Sequence, residues 1–307
     1  MTLIDYLHRA AARLDEAGVS YGHGTTNGFD EAAWLVLWKL GLPLDDLDGV
    51  ADRVLSADET AALDAFVAQR IATRKPAAYL TGEAWLQGVP FFVDERVIIP
   101  RSLIAEVLAE GFIDPWLPPP ESTQRVLDLC TGNGSLAILA AMAWHEVHVD
   151  AADLSNEALA VAARNVERHD LEGRVTLHQG DGLAAVAGRR YELILCNPPY
   201  VNAASMAALP PEFRAEPALA LAGGADGMDF VRTLLAQAHD FLTDDGVLVL
   251  EIGHERAHFE AAFPQLVDAV TWLPTALQAD GVLLVARDAL VLPDSVDDED
   301  DDFGVER

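Results

Sequence analysis

Residues 197 to 200 read Asn-Pro-Pro-Tyr and follow an apolar run, Tyr191 to Cys196. Each proline fixes its own φ and lacks a backbone N–H, and the residue before each is pushed out of the helical region. A strand that ends this way enters a stiff, extended turn offering outward carbonyls, one carboxamide and one aromatic ring. Such a turn can grip a flat, neutral NH2 group. The Asn197 side-chain oxygen and the Pro198 carbonyl can accept its two hydrogens, and the Tyr200 ring can pack on its face. Alone, the tetrapeptide is equally a plain strand-terminating turn, so its meaning depends on the rest of the chain.

That context begins at Val126-Leu-Asp-Leu-Cys-Thr-Gly-Asn-Gly134, where an apolar strand runs into a Gly-rich turn and an alanine-rich helix follows. Gly132 and Gly134 permit tight backbone geometry and close ligand approach. The first N–H groups of the helix favour an anionic group in the same space, and Asp128 could accept from a ligand ammonium. Asp153 closes the next apolar run 19 residues after Gly134, an offset at which an acid binds the hydroxyls of a ribose. Asp181, before Gly182, follows a third run and could accept from the exocyclic amine of an adenine; it is also an ordinary turn residue. Asp128, Asp153, Asp181 and Asn197 thus read as four strand ends. In an open α/β sheet the ligand crevice lies outside the carboxyl ends of the strands, so all four fall on one rim. A nicotinamide dinucleotide site competes, since Ala137 is tolerated at the third position of that fingerprint; hydride transfer, however, has no use for an amide-gripping turn.

The elements that must position this rim are legible in outline. Helices are expected over Thr2–Ala17, Asp30–Leu40 and Ser56–Thr73, the last opened by an acid-rich first turn. Tyr79–Pro100, rich in aromatic and β-branched residues with Gly82 and Gly88 as breaks, predicts a strand hairpin between two domains. Arg101 follows Ile99-Pro100, where it either stabilises the linker or approaches a ligand carboxylate. After Tyr200, Val201–Gly227 is a long connection of the kind that is often functional, expected to cover the substrate. Phe230–Leu242 reads as a helix, Gly246–Ile252 as a central strand, and Phe263–Leu273 as the lead into a final strand pair ending at Gly281–Ala286.

With these motifs the chain resembles class I S-adenosylmethionine-dependent methyltransferases. More narrowly, over about residues 20 to 290, it resembles the HemK-like protein glutamine methyltransferases. Tyr21-Gly-His-Gly-Thr-Thr-Asn27 with Asp30-Glu31-Ala32, Val93–Ser102 and Leu127–Gly132 look like the branch that modifies large-subunit ribosomal protein three. The sister branch, which modifies peptide-chain release factors, lacks the His-Gly-Thr segment and has glycine where this chain has Cys130. The resemblance implies a Rossmann-like, mostly parallel α/β sheet (residues 101–290). The helical domain ahead of it (1–78) carries no evident chemistry and reads as a substrate-docking or lid element or as plain packing, joined by a β-hairpin linker (79–100). The resemblance also implies catalytic residues Asn197, Pro198, Pro199 and Tyr200. It implies S-adenosyl-L-methionine bound by Asp128, Cys130, Thr131, Gly132, Asn133, Gly134, Asp153, Leu154, Asp181, Gly182 and Asn197. The substrate would be the side-chain amide of a glutamine in the ribosomal protein, with the release factor as the nearest rival. An N6-adenine nucleic-acid methyltransferase would use the same turn, but it needs a basic base-recognition segment, and none is visible. A non-catalytic cofactor-binding or ribosome-assembly factor would not need the intact Asn197 and three acids.

Composition agrees with a cytoplasmic enzyme. Half of the 307 residues are hydrophobic, and no apolar run approaches the roughly 18 residues of a membrane span. The amphipathic N-terminus, with its early acid, is unlike a secretory signal. Cys130 and Cys196 read as small buried residues, His23 and His148 as structural or surface groups, and no spacing suggests a metal site. The net charge of −30, from 50 acids and 20 bases, opposes DNA binding and suits a basic protein partner, or serves solubility alone. Residues 294–306 hold eight acids, a composition that predicts a disordered tail over 291–307.

Overall fold

Nine strands are present in the computed structural model, which describes residues 1–118, 125–276 and 278–290: β1 Glu83–Leu86, β2 Val89–Phe92, β3 Arg125–Leu129, β4 His148–Asp153, β5 Val175–Gln179, β6 Tyr191–Cys196, β7 Leu242–Glu251, β8 Thr271–Leu273 and β9 Val282–Ala286. β3 to β9 form one sheet in the order β5-β4-β3-β6-β7-β9-β8. Pairing is parallel from β5 through β7 and antiparallel where β9 joins β7 and β8. The chain lays down β3, β4 and β5 toward one edge, then returns to place β6 on the other side of β3. Neighbouring connections leave in opposite directions at that point, which opens a crevice at the carboxyl ends of β3 and β6. This is the α/β class and the rim expected from the motifs.

Both faces of the sheet are covered, which is why its strands read as nearly continuous apolar runs. On one face Val126, Val149, Leu193, Leu195 and Val249 pack against α6 (Ile104–Ala109) and α7 (Ser135–Ala143). On the other, Leu127, Leu129, Ile194, Leu248 and Leu250 pack against α10 (Asp229–Phe241) and α11 (Arg256–Ala262). α8 (Asn156–Arg168) follows β4, and α9 (Ala203–Ala208) breaks the long connection after Tyr200.

The N-terminal third is helical: α1 Leu3–Glu16, α2 Gly28–Leu40, α3 Leu47–Val50, α4 Ala57–Thr73 and α5 Ala77–Thr81. Thr2 with Asp5 and Ser56 with Glu59 form capping boxes that satisfy the first N–H groups of α1 and α4. These helices bury their own cluster around Leu3, Tyr6, Leu7, Leu14, Val36 and Leu63. The hairpin is shorter than the sequence suggests. Pro76 opens α5 and Gly82 closes it in the left-handed region at φ 71°, so pairing runs only from Glu83 to Phe92. The turn is Gln87-Gly88, with φ of 51° and 74°; the positive values match the right-handed twist of the strands. β7 starts at Leu242, four residues before Gly246, because α10 ends directly in extended backbone. The expected acidic tail lies outside the described residues.

Candidate active site

The turn after β3 is built from the inside out. Asp128 is 1% exposed. Its Oδ2 accepts from Thr131 Oγ1 at 2.5 Å and from the Ala137 N–H at 3.0 Å, tying the strand end to the turn and to the first turn of α7. Its Oδ1 is buried without a hydrogen-bond partner. Burial pushes the carboxyl up to about 7, against the two hydrogen bonds that favour its charged form. Gly134 caps α7 at φ 82°, where an added Cβ would sit 3.2 Å from Ala162. Asn133 braces the same corner: its side chain accepts from the Ser135 N–H and its carbonyl accepts from Asn165. Asp128, Thr131, Asn133 and Gly134 therefore shape the turn from beneath, and none of them lines the cavity above it.

That cavity is lined by Cys130, Gly132, Asp153, Leu154, Asp181, Gly182, Asn197 and Pro199 from the sequence-derived set. Asp153 ends β4 and accepts from the Gly132 N–H and the Ser155 N–H, both at 2.8 Å. Each of its oxygens keeps a lone pair for a ligand hydroxyl. Burial raises its pKa, partly offset by those backbone donors. Asp181 is exposed just after β5, and Leu154, Phe230 and Ile98 add apolar wall. Cys130 sits at φ 62°, a left-handed backbone that a glycine would adopt without strain. Burial and the neighbouring Cys130 raise the pKa of the Cys196 thiol, and both cysteines are free.

A second cavity opens on the other side of Asn197. It is lined by Pro198, Tyr200, Arg101, Glu251, Gly253 and Gln278, and it shares Ile98, Asn197 and Ala220 with the first. The Asn197 side chain is half-buried and has no hydrogen-bond partner among the described residues, so both its oxygen and its NH2 remain available. Tyr200 is fixed by its phenol, which donates to Glu251 Oε1 at 3.1 Å. Glu251 Oε2 accepts from Ser102 Oγ at 2.5 Å and the Leu103 N–H at 2.9 Å. Gly253 lies so close under the Tyr200 ring that an added Cβ would come within 2.6 Å of it. The arrangement is two adjoining chambers with Asn197 on the wall of both, which suits passing a group from a ligand in one to an acceptor in the other.

Comparison with known proteins gives the family. A curated ribosomal protein uL3 glutamine methyltransferase of Bordetella pertussis is 56% identical over 290 residues, covering 94% of this chain and 96% of the relative. The chain belongs to the ribosomal protein uL3 glutamine methyltransferase family. Relatives of the same name in Burkholderia pseudomallei and Bradyrhizobium diazoefficiens are 50% and 49% identical, over 92% and 90% of this chain and 94% and 87% of their own lengths. The methyltransferase small domain model matches residues 115–221.

Sequence reasoning did not find what holds the cover over these two chambers. The roof is residues 209–222, whose Pro217, Leu219 and Ala220 line the first chamber and whose Ala220 and Leu221 line the second. Glu216 anchors it. Its Oε1 accepts from the Ile99 N–H at 2.9 Å and Arg101 Nη1 at 2.6 Å, and its Oε2 accepts from Arg101 Nη2 at 2.8 Å. His23 Nε2 stands 3.6 Å away, just beyond hydrogen-bond length. Burial pushes the Glu216 carboxyl up, but His23 and the Arg101 fork outweigh it and hold it at about 2. Arg101 thus ties the roof to the linker, also donating to the Ile99 carbonyl, and it lines the second chamber as well. A second anchor is Glu212, paired with Arg70 at 3.4 Å and Arg74 at 2.8 Å from α4 and its cap. Fully buried Arg70 also donates to Glu31 of α2 at 2.8 Å. The ring of Phe213 lies 4.1 Å from that of His23. His23 is buried between the helical region and the roof, and His148 is exposed at the start of β4. The sequence held only a faint signal of this network: acids at 212 and 216 inside a proline-rich loop.

Proposed function

We propose that this protein transfers a methyl group from S-adenosylmethionine to the side-chain amide nitrogen of a glutamine in ribosomal protein uL3. Curated relatives at 49–56% identity carry that activity in their names. The observation that carries the chemistry is the Asn197 carboxamide, unpartnered and shared by two chambers.

The residues of the first chamber fit this cofactor. Beneath the turn, the orphaned Asp128 Oδ1 is a buried acceptor whose field would favour a ligand ammonium in the chamber above it. Asp153 has lone pairs for two ribose hydroxyls, and Asp181 stands where an adenine amine would need an acceptor. When bound, the cofactor supplies an electrophilic methyl on a sulfonium. In the second chamber the glutamine NH2 would donate to Asn197 Oδ1 and the Pro198 carbonyl, with its flat face against Tyr200. An amide nitrogen is a poor nucleophile because its lone pair is delocalised. Held by Asn197 and Pro198 against Tyr200, its lone pair would be aimed at that methyl, and on transfer the nitrogen would shed one proton to water. Positioning of this kind supplies up to roughly 7–11 kcal/mol. The two acceptors also bind more strongly as the nitrogen gains positive charge, which favours the transition state over the ground state. Such a substrate places the enzyme in the cytoplasm, with the helical region 1–78 and the hairpin serving substrate docking.

The test is methyl transfer from labelled S-adenosylmethionine to three acceptors: uL3, a release factor and duplex DNA. Label on uL3 alone, on a glutamine, is the expected result. Label on the release factor would overturn the substrate, and label on DNA would overturn the acceptor class.

A further inference from the structure

A groove of about 640 Å³ lies on the helical domain, away from both chambers. Its floor is Trp34, Leu37, Leu44 and Leu47, and the half-exposed indole of Trp85 on the hairpin forms one wall. Asp30 and Asp45 line it as exposed acids, whereas no Lys or Arg among the described residues does. The Asp45 carboxylate has no ion-pair or hydrogen-bond partner among the described residues, and exposed Asp46 and Asp48 stand beside it. The remaining wall is Gly24 and Thr25, which belong to the Tyr21–Asn27 segment. That segment faces two ways: His23 presses on Phe213 and Glu216 of the roof, while its next two residues line the groove. Thr25 donates to Glu31, and Glu31 in turn accepts from Arg70.

We propose that this groove docks a segment of the protein substrate that carries an apolar or aromatic side chain flanked by Lys or Arg. The proposal rests on the reading of the enzyme as one that modifies a basic ribosomal protein. Complementarity names the occupant. An apolar floor takes the hydrophobic side chain, and an unpaired acid on a rim without bases attracts the cations beside it. The chain's own acidic segment 294–306 and a second copy of this chain, each of which repeats the groove's sign of charge, are disfavoured. The groove thus selects the protein, and Asn197 selects the amide.

Steady-state kinetics with purified uL3 test this on Trp85→Ala and Asp45→Lys, both at exposed side chains outside the chambers. Each variant should raise the KM for uL3 about tenfold while leaving kcat and the KM for S-adenosylmethionine within twofold. Trp85→Phe and Asp45→Glu should restore the wild-type KM. A uL3 KM unchanged in both variants would overturn the groove while the activity stands. A fall in kcat without a change in KM, or a shift in oligomeric state by light scattering, would also overturn it, the latter by making the groove a self-contact. A wild-type enzyme that fails to label uL3 would instead sink the underlying reading, and the named occupant with it.

Discussion

Asn197 and Asp128 occupy neighbouring strand ends, but their burial gives them different tasks. Asn197 is half-buried with a free carboxamide, so Asn197→Ala should lower kcat at least about 100-fold, the usual effect of removing one transition-state hydrogen-bonding group. Cofactor affinity by calorimetry should change far less. Near-normal single-turnover rates would refute the acceptor role. Asp128 is fully buried, and burial raises its carboxyl from 3.8 to about 7. The folded protein therefore holds this proton more tightly than the unfolded chain. The stability that follows is full below about pH 4 and is lost as pH rises through 7. A cation in the chamber above Asp128 would favour its ionised form. Cofactor affinity should therefore climb as pH rises toward and past 7, with proton release on binding near neutrality. Titration in buffers of different ionisation enthalpy would detect that release, and Asp128→Asn should abolish it.

At the scale of elements, the roof is a short connection held by ions instead of a core. Glu216 is fully buried and Arg101 is 28% exposed, so removing the charge leaves a largely enclosed guanidinium unpaired. Glu216→Gln should cost about 2–4 kcal/mol, near the range for breaking a buried pair, measured by denaturant unfolding at pH 7. The sign of the pH effect follows from the depressed carboxyl. Its contribution is full above 4.5 and is lost as pH falls toward about 2. The difference between wild type and variant should therefore shrink in acid. Turnover should fall as well, since Pro217 and Ala220 line the chambers; an unchanged kcat would make the anchor purely structural.

For the whole molecule, 50 acids against 20 bases set a strongly negative field. A basic substrate is steered by that field, and salt screens it over about 10 Å at 0.1 M. The KM for uL3 should rise steeply with ionic strength while the KM for the singly charged cofactor barely moves. Truncation at Pro293 removes the acid-rich segment. It should keep kcat, and a salt slope reduced in the truncated enzyme would assign the segment a share of the steering. An identical slope would leave it without one.

Local chemistry is what the sequence determined alone. The turn at Asn197–Tyr200, the glycines at 132 and 134, and the acids closing successive apolar runs are dictated by residues adjacent in the chain. The capping box at Ser56 and the apolar strands of a sheet covered on both faces are likewise written in short windows. Where those windows meet long-range contacts, the reading gave out. The hairpin was cut to Glu83–Phe92 because Pro76 starts and Gly82 stops a short helix ahead of it. Asp128 sits beneath the turn instead of on the cavity wall, because its partners, Thr131 and Ala137, fold back over it. Only the tertiary structure decided the roof and the groove. Glu216 meets Arg101 across 115 residues and Arg70 meets Glu212 across 142. A pairing of that span depends on where the sheet and the helical domain bring their ends together, and no local preference records it.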